Sequence, residues 1–301
     1  MNPLYLIRAM RPHQWVKNVF VLAALFFSIG AGEAAADLVR IENTLYALVA
    51  FCFGSSTIYL LNDVMDVERD RAHPTKRNRP IASGQVSVKV ALLTSLACLA
   101  TALSLGWRAR PEDGQVAIVV GSYMTINFFY SWKLKHIVLV DAFCIASGFL
   151  LRVLAGGLAA STPVSHWLML CTLFLALFLA FCKRHAEISL LGEDRGGHRK
   201  ILLEYTPVLL DQLVVILAAC TIVCYTMYTV SDDTALKFGG TRLVWTVPFV
   251  VFGLFRYLLL VQTRGGGGNP SRVLLGGDVA FLVNGLAWLA TVTLLLFSSA
   301  A

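Results

Sequence analysis

Three features of this chain predict an all-α fold that spans a membrane repeatedly. Of 301 residues, 57% are hydrophobic and only 14% charged, where a soluble domain carries about a quarter charged. The mean hydropathy is +0.70. Long apolar runs recur to the end of the chain, several close to the ~17–20 residues a helix needs to cross hydrocarbon. Nine such runs lie near 18–32, 44–61, 89–106, 115–131, 137–158, 166–182, 209–230, 244–262 and 279–299. The expectation is a polytopic protein of nine transmembrane helices, forming one membrane-embedded domain over 1–301.

The first run is preceded by Arg8, Arg11 and Lys17. Ala34-Ala35-Ala36 after it imitates a signal-peptide cleavage site. The basic region is long, however, and Trp15 sits as an interfacial anchor would, so the run reads as a retained span. Arg11-Pro12-His13-Gln14-Trp15-Val16-Lys17-Asn18 is unusually polar for a simple anchor.

The second run leads into Asn62 to Pro80, the most informative stretch. Asp63, Asp66 and Asp70 stand at i, i+3 and i+7, so on a continuous helix they share one face, with Asn62 beside them. Like charges so placed need a cation. Carboxylate oxygens suit a hard ion, and Mg²⁺ prefers one or two carboxylates plus phosphate oxygens and water. Arg69, Arg71, Lys76, Arg77 and Arg79 follow at once, and guanidinium forks match phosphate geometry. Carboxylates for metal beside cations for phosphate describe a metal–diphosphate site. A solvated loop of mixed charge is the plainer alternative, but the spacing and the position at the end of an apolar run favour the site.

Charge then orients the chain. Put the N-terminus and the connections after runs 2, 4, 6 and 8 on one side. That side holds 18 Lys and Arg; the other holds five, and Arg152 and Arg256 fall inside runs. The positive-rich side is expected to be cytoplasmic, which places the Asp63 cluster there. The net charge of +7 is spread over these connections. Anionic lipid heads and phosphorylated substrates explain it better than nucleic acid, which would call for one basic domain.

The later connections add candidates. Lys133, Lys135 and His136 follow run 4, with Asp141 close behind, and Lys183-Arg184-His185-Ala186-Glu187 follows run 6, as a loop. Farther on come Glu193-Asp194-Arg195, Arg199-Lys200 and the glycine tract Arg264 to Arg272, which reads as a flexible linker. Asp232-Asp233 and Glu112-Asp113 read as solvated turns, and Asp278 as a helix N-cap. Arg152 lies deep in run 5, where an arginine faces a polar interior or snorkels outward; Arg256 raises the same question. None of the seven cysteines forms a C-x-x-C pair, and no histidine pair has metal-ligand spacing, so cysteine reads as a small buried hydrophobe and a zinc site is not expected. Runs 2 and 6 each precede a long charged connection, which suggests two four-helix halves and a ninth helix.

Asn-Asp-x-x-Asp-x-x-x-Asp at 62–70, after the second of nine runs, resembles the first aspartate-rich motif of the UbiA prenyltransferase superfamily. The resemblance covers nearly the whole chain. It implies an intramembrane helical bundle with Mg²⁺–diphosphate held in a cytoplasmic-side cavity. The family's usual second motif is a tyrosine–alanine pair followed by several aspartates. Here the matching place is Lys183 to Glu187, with one carboxylate and two new cations. That departure resembles the decaprenyl-phosphate phosphoribosyltransferase branch. So do Arg11 to Asn18, Asn62 to Pro80, and Ser147-Gly148-Phe149-Leu150-Leu151-Arg152 with Gly156-Gly157. The branch implies transfer of 5-phosphoribosyl from phosphoribosyl diphosphate (PRPP) to a polyprenyl phosphate, for cell-wall arabinan.

On that reading Asp63 and Asp66, with Asp70, hold Mg²⁺ on the diphosphate. Lys76, Arg77, Lys183 and Arg184 contact phosphate, with Arg79, Lys17, Lys133, Lys135 and Arg152 as further candidates. Glu187 completes the metal shell or orients a cation. The partners expected are PRPP, polyprenyl phosphate and the lipid bilayer, and a homo-oligomer is compatible with the sequence. Two alternatives stay open: a prenyltransferase moving a prenyl group to an aromatic acceptor, and a lipid transporter without chemistry.

Overall fold

Helix boundaries in the chain follow capping chemistry. In a computed structural model, residues 3–31, 37–191, 204–264 and 278–297 are described. Asp37 starts the longest helix, its Oδ1 accepting from the amides of Val39 and Arg40 at 3.1 and 3.2 Å. Ser87 and Thr206 cap later helices in the same way. The α-helices are α1 (Pro3–Met10), α2 (Ala23–Gly30), α3 (Leu38–Met65), α4 (Val67–Ala72), α5 (Val88–Ala109), α6 (Gln115–Trp132), α7 (Val140–Ala159), α8 (His166–Leu191), α9 (Pro207–Val230), α10 (Asp232–Phe238), α11 (Val247–Arg264) and α12 (Val279–Phe297). There is no strand among the described residues.

Seven of these helical segments, beginning at Leu38, Val88, Val140, His166, Pro207, Arg242 and Val279, are long and apolar enough to cross a membrane. The runs expected at 18–32 and 115–131 are not among the seven. The first is divided between a 3-10 helix at Pro12–Leu22 and α2. The second is α6, an 18-residue helix.

Two further expectations need correction. Lys183 to Glu187 do not form a loop: α8 carries them, because no breaker occurs before Leu191 and Arg184 pairs with Glu187 one turn on. Nor do the three aspartates share one unbroken helix. α3 ends at Met65, and Asp66, with a ψ of 7°, forms the joint to α4. Asp232-Asp233 form the first turn of α10, where carboxylates face the positive helix end. The segments Glu193-Asp194-Arg195, Arg199-Lys200, Ala34-Ala35-Ala36 and the glycine tract from 265 lie outside the described residues.

The chain divides into two units: Met1–Phe26 with Ala36–Lys133 and Leu151–Pro163, and Phe27–Ala35 with Leu134–Leu150 and Val164–Ala301. The first is built on α3 against α5 and α6, around Ala47, Ala50, Phe51, Ala102, Val116 and Val120. Small residues let these helices approach closely, as membrane bundles require. Thr57 and Ser95 exchange side-chain-to-carbonyl bonds at 3.4 Å across that contact. The second unit packs α8 against α9, around Leu177, Phe178, Phe181, Leu210 and Val214. An apolar cavity of about 260 Å³ lies among α8, α11 and α12, bordered by Phe178, Tyr257, Phe281 and Trp288.

Candidate active site

In the first unit the second apolar helix delivers its carboxylates to a buried spot. Asp63 and Asp70 are only 2% and 3% exposed. The hydrogen-bond ladder runs on through the α3–α4 joint, with Asp66 N–H donating to Asn62 O at 2.9 Å and Asp70 N–H to Asp66 O at 2.8 Å. That continuity keeps Asp63 and Asp70 on one side despite the bend. Arg79 joins them: its Nη1 lies 3.1 Å from Asp63 Oδ1 and 2.6 Å from Asp70 Oδ2. Arg11, 52 residues before Asp63, donates from Nη2 to the same Asp63 Oδ1 at 2.6 Å. Its guanidinium also lies over the Tyr59 ring, 4.9 Å from the centroid. Nothing in the local sequence pairs Arg11 with Asp63.

Asp66 is half-buried, with Arg69 Nη1 at 4.0 Å from its Oδ1. Arg71 donates to Glu68 at 2.8 Å and to the Ala82 carbonyl at 3.2 Å, which closes the connection back on itself. Lys76 and Arg77 are exposed on a 3-10 turn, and Lys133 is exposed at the end of α6. Lys17 and Asn62 are half-buried.

Arg152 faces inward. Its Nε donates to Asn18 Oδ1 at 2.8 Å and its Nη2 to Tyr123 Oη at 3.1 Å. The rings of Tyr123 and Phe51 lie 4.6 and 5.5 Å from its guanidinium carbon. The polar-interior alternative therefore holds, and Asn18 is the partner the sequence did not show. Asn18 also donates to Cys52 Sγ at 3.2 Å. Trp15 belongs to the same brace: its indole N–H donates to Ser56 Oγ at 3.1 Å, so it is more than an interfacial anchor. Gly156 admits the N-terminal segment, since a Cβ there would meet the Val21 carbonyl oxygen at 1.9 Å.

The second unit holds a different charged cluster. Arg184 is 1% exposed and Asp141 fully buried. Arg184 Nη1 donates to Glu187 Oε2 at 2.6 Å, and its Nε lies 3.5 Å from Asp141 Oδ2. Tyr205 donates to Asp141 Oδ1 at 3.1 Å and accepts from the Leu139 amide at 2.8 Å. Leu139 has a φ of 67°, unusual for a bulky residue, and Tyr205 holds that turn. Burial pushes the Tyr205 phenol up to about 12, with the Asp141 carboxylate adding and the Leu139 amide opposing. Arg184, expected to touch phosphate, thus has its charge enclosed by two carboxylates; Glu187 orients it. Lys183 and Lys135 are half-buried in this unit. Arg256 is structural: it makes a two-pronged pair with Asp278 at 3.0 and 2.8 Å, while Asp278 also caps α12 by accepting from Phe281 N–H. His185 Nε2 lies 3.1 Å from Asp211 Oδ1.

The donors at Asp63 and Asp70 suit a hard divalent ion. Both are carboxylates, and one cationic atom already lies within reach of both. No group of three or more His, Cys, Asp or Glu gathers as a cage among the described residues. Two carboxylates are what Mg²⁺ takes when phosphate oxygens and water complete its shell.

This fold and site define a membrane-embedded transferase: residues 19–285 match the UbiA prenyltransferase family, and the chain belongs to it. It is 39% identical over 295 residues to the decaprenyl-phosphate phosphoribosyltransferase of Corynebacterium glutamicum, covering 97% of this chain and 86% of that protein. The protein of the same name in Mycolicibacterium smegmatis is 36% identical over 295 residues, covering 95% and 91%. Among solved structures, a UbiA homolog from Archaeoglobus fulgidus bound to GPP and Mg²⁺ superposes with a TM-score of 0.71 over 98% of this chain and 99% of that one. At 17% identity that likeness concerns the fold alone.

Proposed function

We propose that this chain transfers the 5-phosphoribosyl group of PRPP to decaprenyl or a related polyprenyl phosphate, releasing diphosphate. The observation that carries the reading is similarity along the whole chain to proteins of that name at 36–39% identity. The product would serve cell-wall arabinan in an organism that builds it. The two units are read as one transferase domain, since the family match runs through both.

Asp63 and Asp70 would hold Mg²⁺, with Asp66 at the joint as third candidate. When bound, the ion supplies charge neutralisation on the departing diphosphate. The chain's own residues do the rest. Arg79 and Arg11 hold the two carboxylates close together. Within the first unit, Lys76, Arg77, Lys133 and Lys17 are the cations for the phosphate-bearing ends of PRPP. Arg152, enclosed by Asn18 and Tyr123, braces the N-terminal segment. A lipid phosphate oxygen bonds to ribose C1 as the C1–O bond to diphosphate breaks, and the electron pair leaves with diphosphate. C1 passes through oxocarbenium character, as in other glycosyl transfers. A phosphate monoester is largely ionised near neutral pH, so the attack needs no dedicated base.

The excess of positive charge supports a cytoplasmic-facing site in the inner membrane. Nine crossings, with the divided segment at 12–30 and α6 joining the seven clear spans, would be needed to keep all the charged connections on that side. The test is diphosphate release from purified protein given Mg²⁺, PRPP and decaprenyl phosphate, omitting each in turn. Release that needs all three supports the reading. Release instead with a prenyl diphosphate and an aromatic acceptor refutes it.

A further inference from the structure

Arg11 reaches Asp63 through an effortful route. Its backbone is left-handed, with φ 56° and ψ 57°, a region a residue with a Cβ avoids. Several contacts hold it there. Ser56 Oγ donates to the Met10 carbonyl at 3.0 Å and accepts from Trp15. Asn18 binds Arg152, and Gly156 receives Val21. Strain so thoroughly over-determined points to a task for the side chain. Arg79 comes from the other direction, after the α4 connection. Both side chains remain partly exposed, at 22% and 26%, while the carboxylates they hold are buried.

Two carboxylates facing two guanidiniums sum to zero charge. A divalent ion added to that set leaves an excess of two positive charges, so ion and arginines compete for the same oxygens. We infer that Arg11 and Arg79 are stand-in cations, which hold Asp63 and Asp70 adjacent until a divalent metal ion displaces them. The inference rests on the metal reading above and extends it: metal binding is an exchange of cations, and the arginines set its affinity.

The test is Mn²⁺ binding to the full chain in detergent, without substrate, followed by the loss of the free-ion electron paramagnetic resonance signal. Arg79→Met is expected to bind Mn²⁺ about tenfold tighter than the parent protein, or more, since one competing charge is gone. Mg²⁺ should compete, and Asp63→Asn added to Arg79→Met should remove the gain. Arg11→Met, which leaves Arg79 in place, is the second variant and should shift affinity the same way by a smaller factor. It decides the matter if Arg79→Met does not fold. Unchanged or weaker binding in the folded variants overturns the inference while leaving the metal site standing. No Mn²⁺ binding by any form, the parent included, overturns the metal reading and this inference with it.

Discussion

The Asp63 cluster of the first unit and the Arg184 cluster of the second use the same groups in opposite arrangements. In the first, buried carboxylates are held by arginines that remain partly in water. In the second, one arginine is enclosed by Asp141 and Glu187. A partly solvated guanidinium can change partners at small cost. A fully buried one cannot, because breaking its pair strands a charge away from water. The first arrangement suits a site that must accept ligands; the second suits a permanent fastening.

Substitutions can break that contrast, and the largest effect should fall on chemistry. Asp66→Ala and Asp63→Asn should each lower Mg²⁺-dependent diphosphate release by about a thousandfold or more, while the protein stays folded in detergent. Retained turnover in Asp66→Ala would remove that residue from the metal site. Next comes the fastening. Arg184→Met should cost about 3–5 kcal/mol in detergent unfolding, because Asp141 loses its countercharge. Arg184→Lys should recover little, since a lysine lacks the fork. A phosphate-binding role would instead show as a raised PRPP KM at normal stability.

Gly156→Ala should cost about 1–3 kcal/mol, because the new methyl meets backbone rather than a movable side chain. Melting curves would show it, and the Arg152–Asn18 brace should loosen with it. Tyr205→Phe should cost about 1–2 kcal/mol for the Leu139 amide and Asp141 bonds. The smallest stability change, within about 0.5 kcal/mol, is expected for exposed Lys76→Ala and Arg77→Ala. Their effect should appear in PRPP KM alone, and no change there would remove them from the substrate's path.

The sequence by itself determined the class of protein, because hydropathy over twenty residues is a local property. It also determined the aspartate motif and the departure at Lys183 to Glu187, which are fixed spacings. The helix cap at Asp278 was similarly near at hand. Boundaries were harder where apolar content and helix content part company. α3 begins before its apolar run through charged Arg40 and Glu42, and α8 continues past its own through Lys183 to Glu187. Hydrogen bonding sustains a helix after hydrophobicity stops, so the apolar runs understated both. Only the tertiary structure decided which charges meet. Arg11 finds Asp63, Asn18 finds Arg152, and Asp141 finds Arg184 and Tyr205 across long stretches of chain. Charge alone gave each arginine many equivalent partners. Packing around Phe51, Ser56 and Gly156 selected one, and burial then separated the partly exposed Arg11 and Arg79 from the buried Arg152 and Arg184.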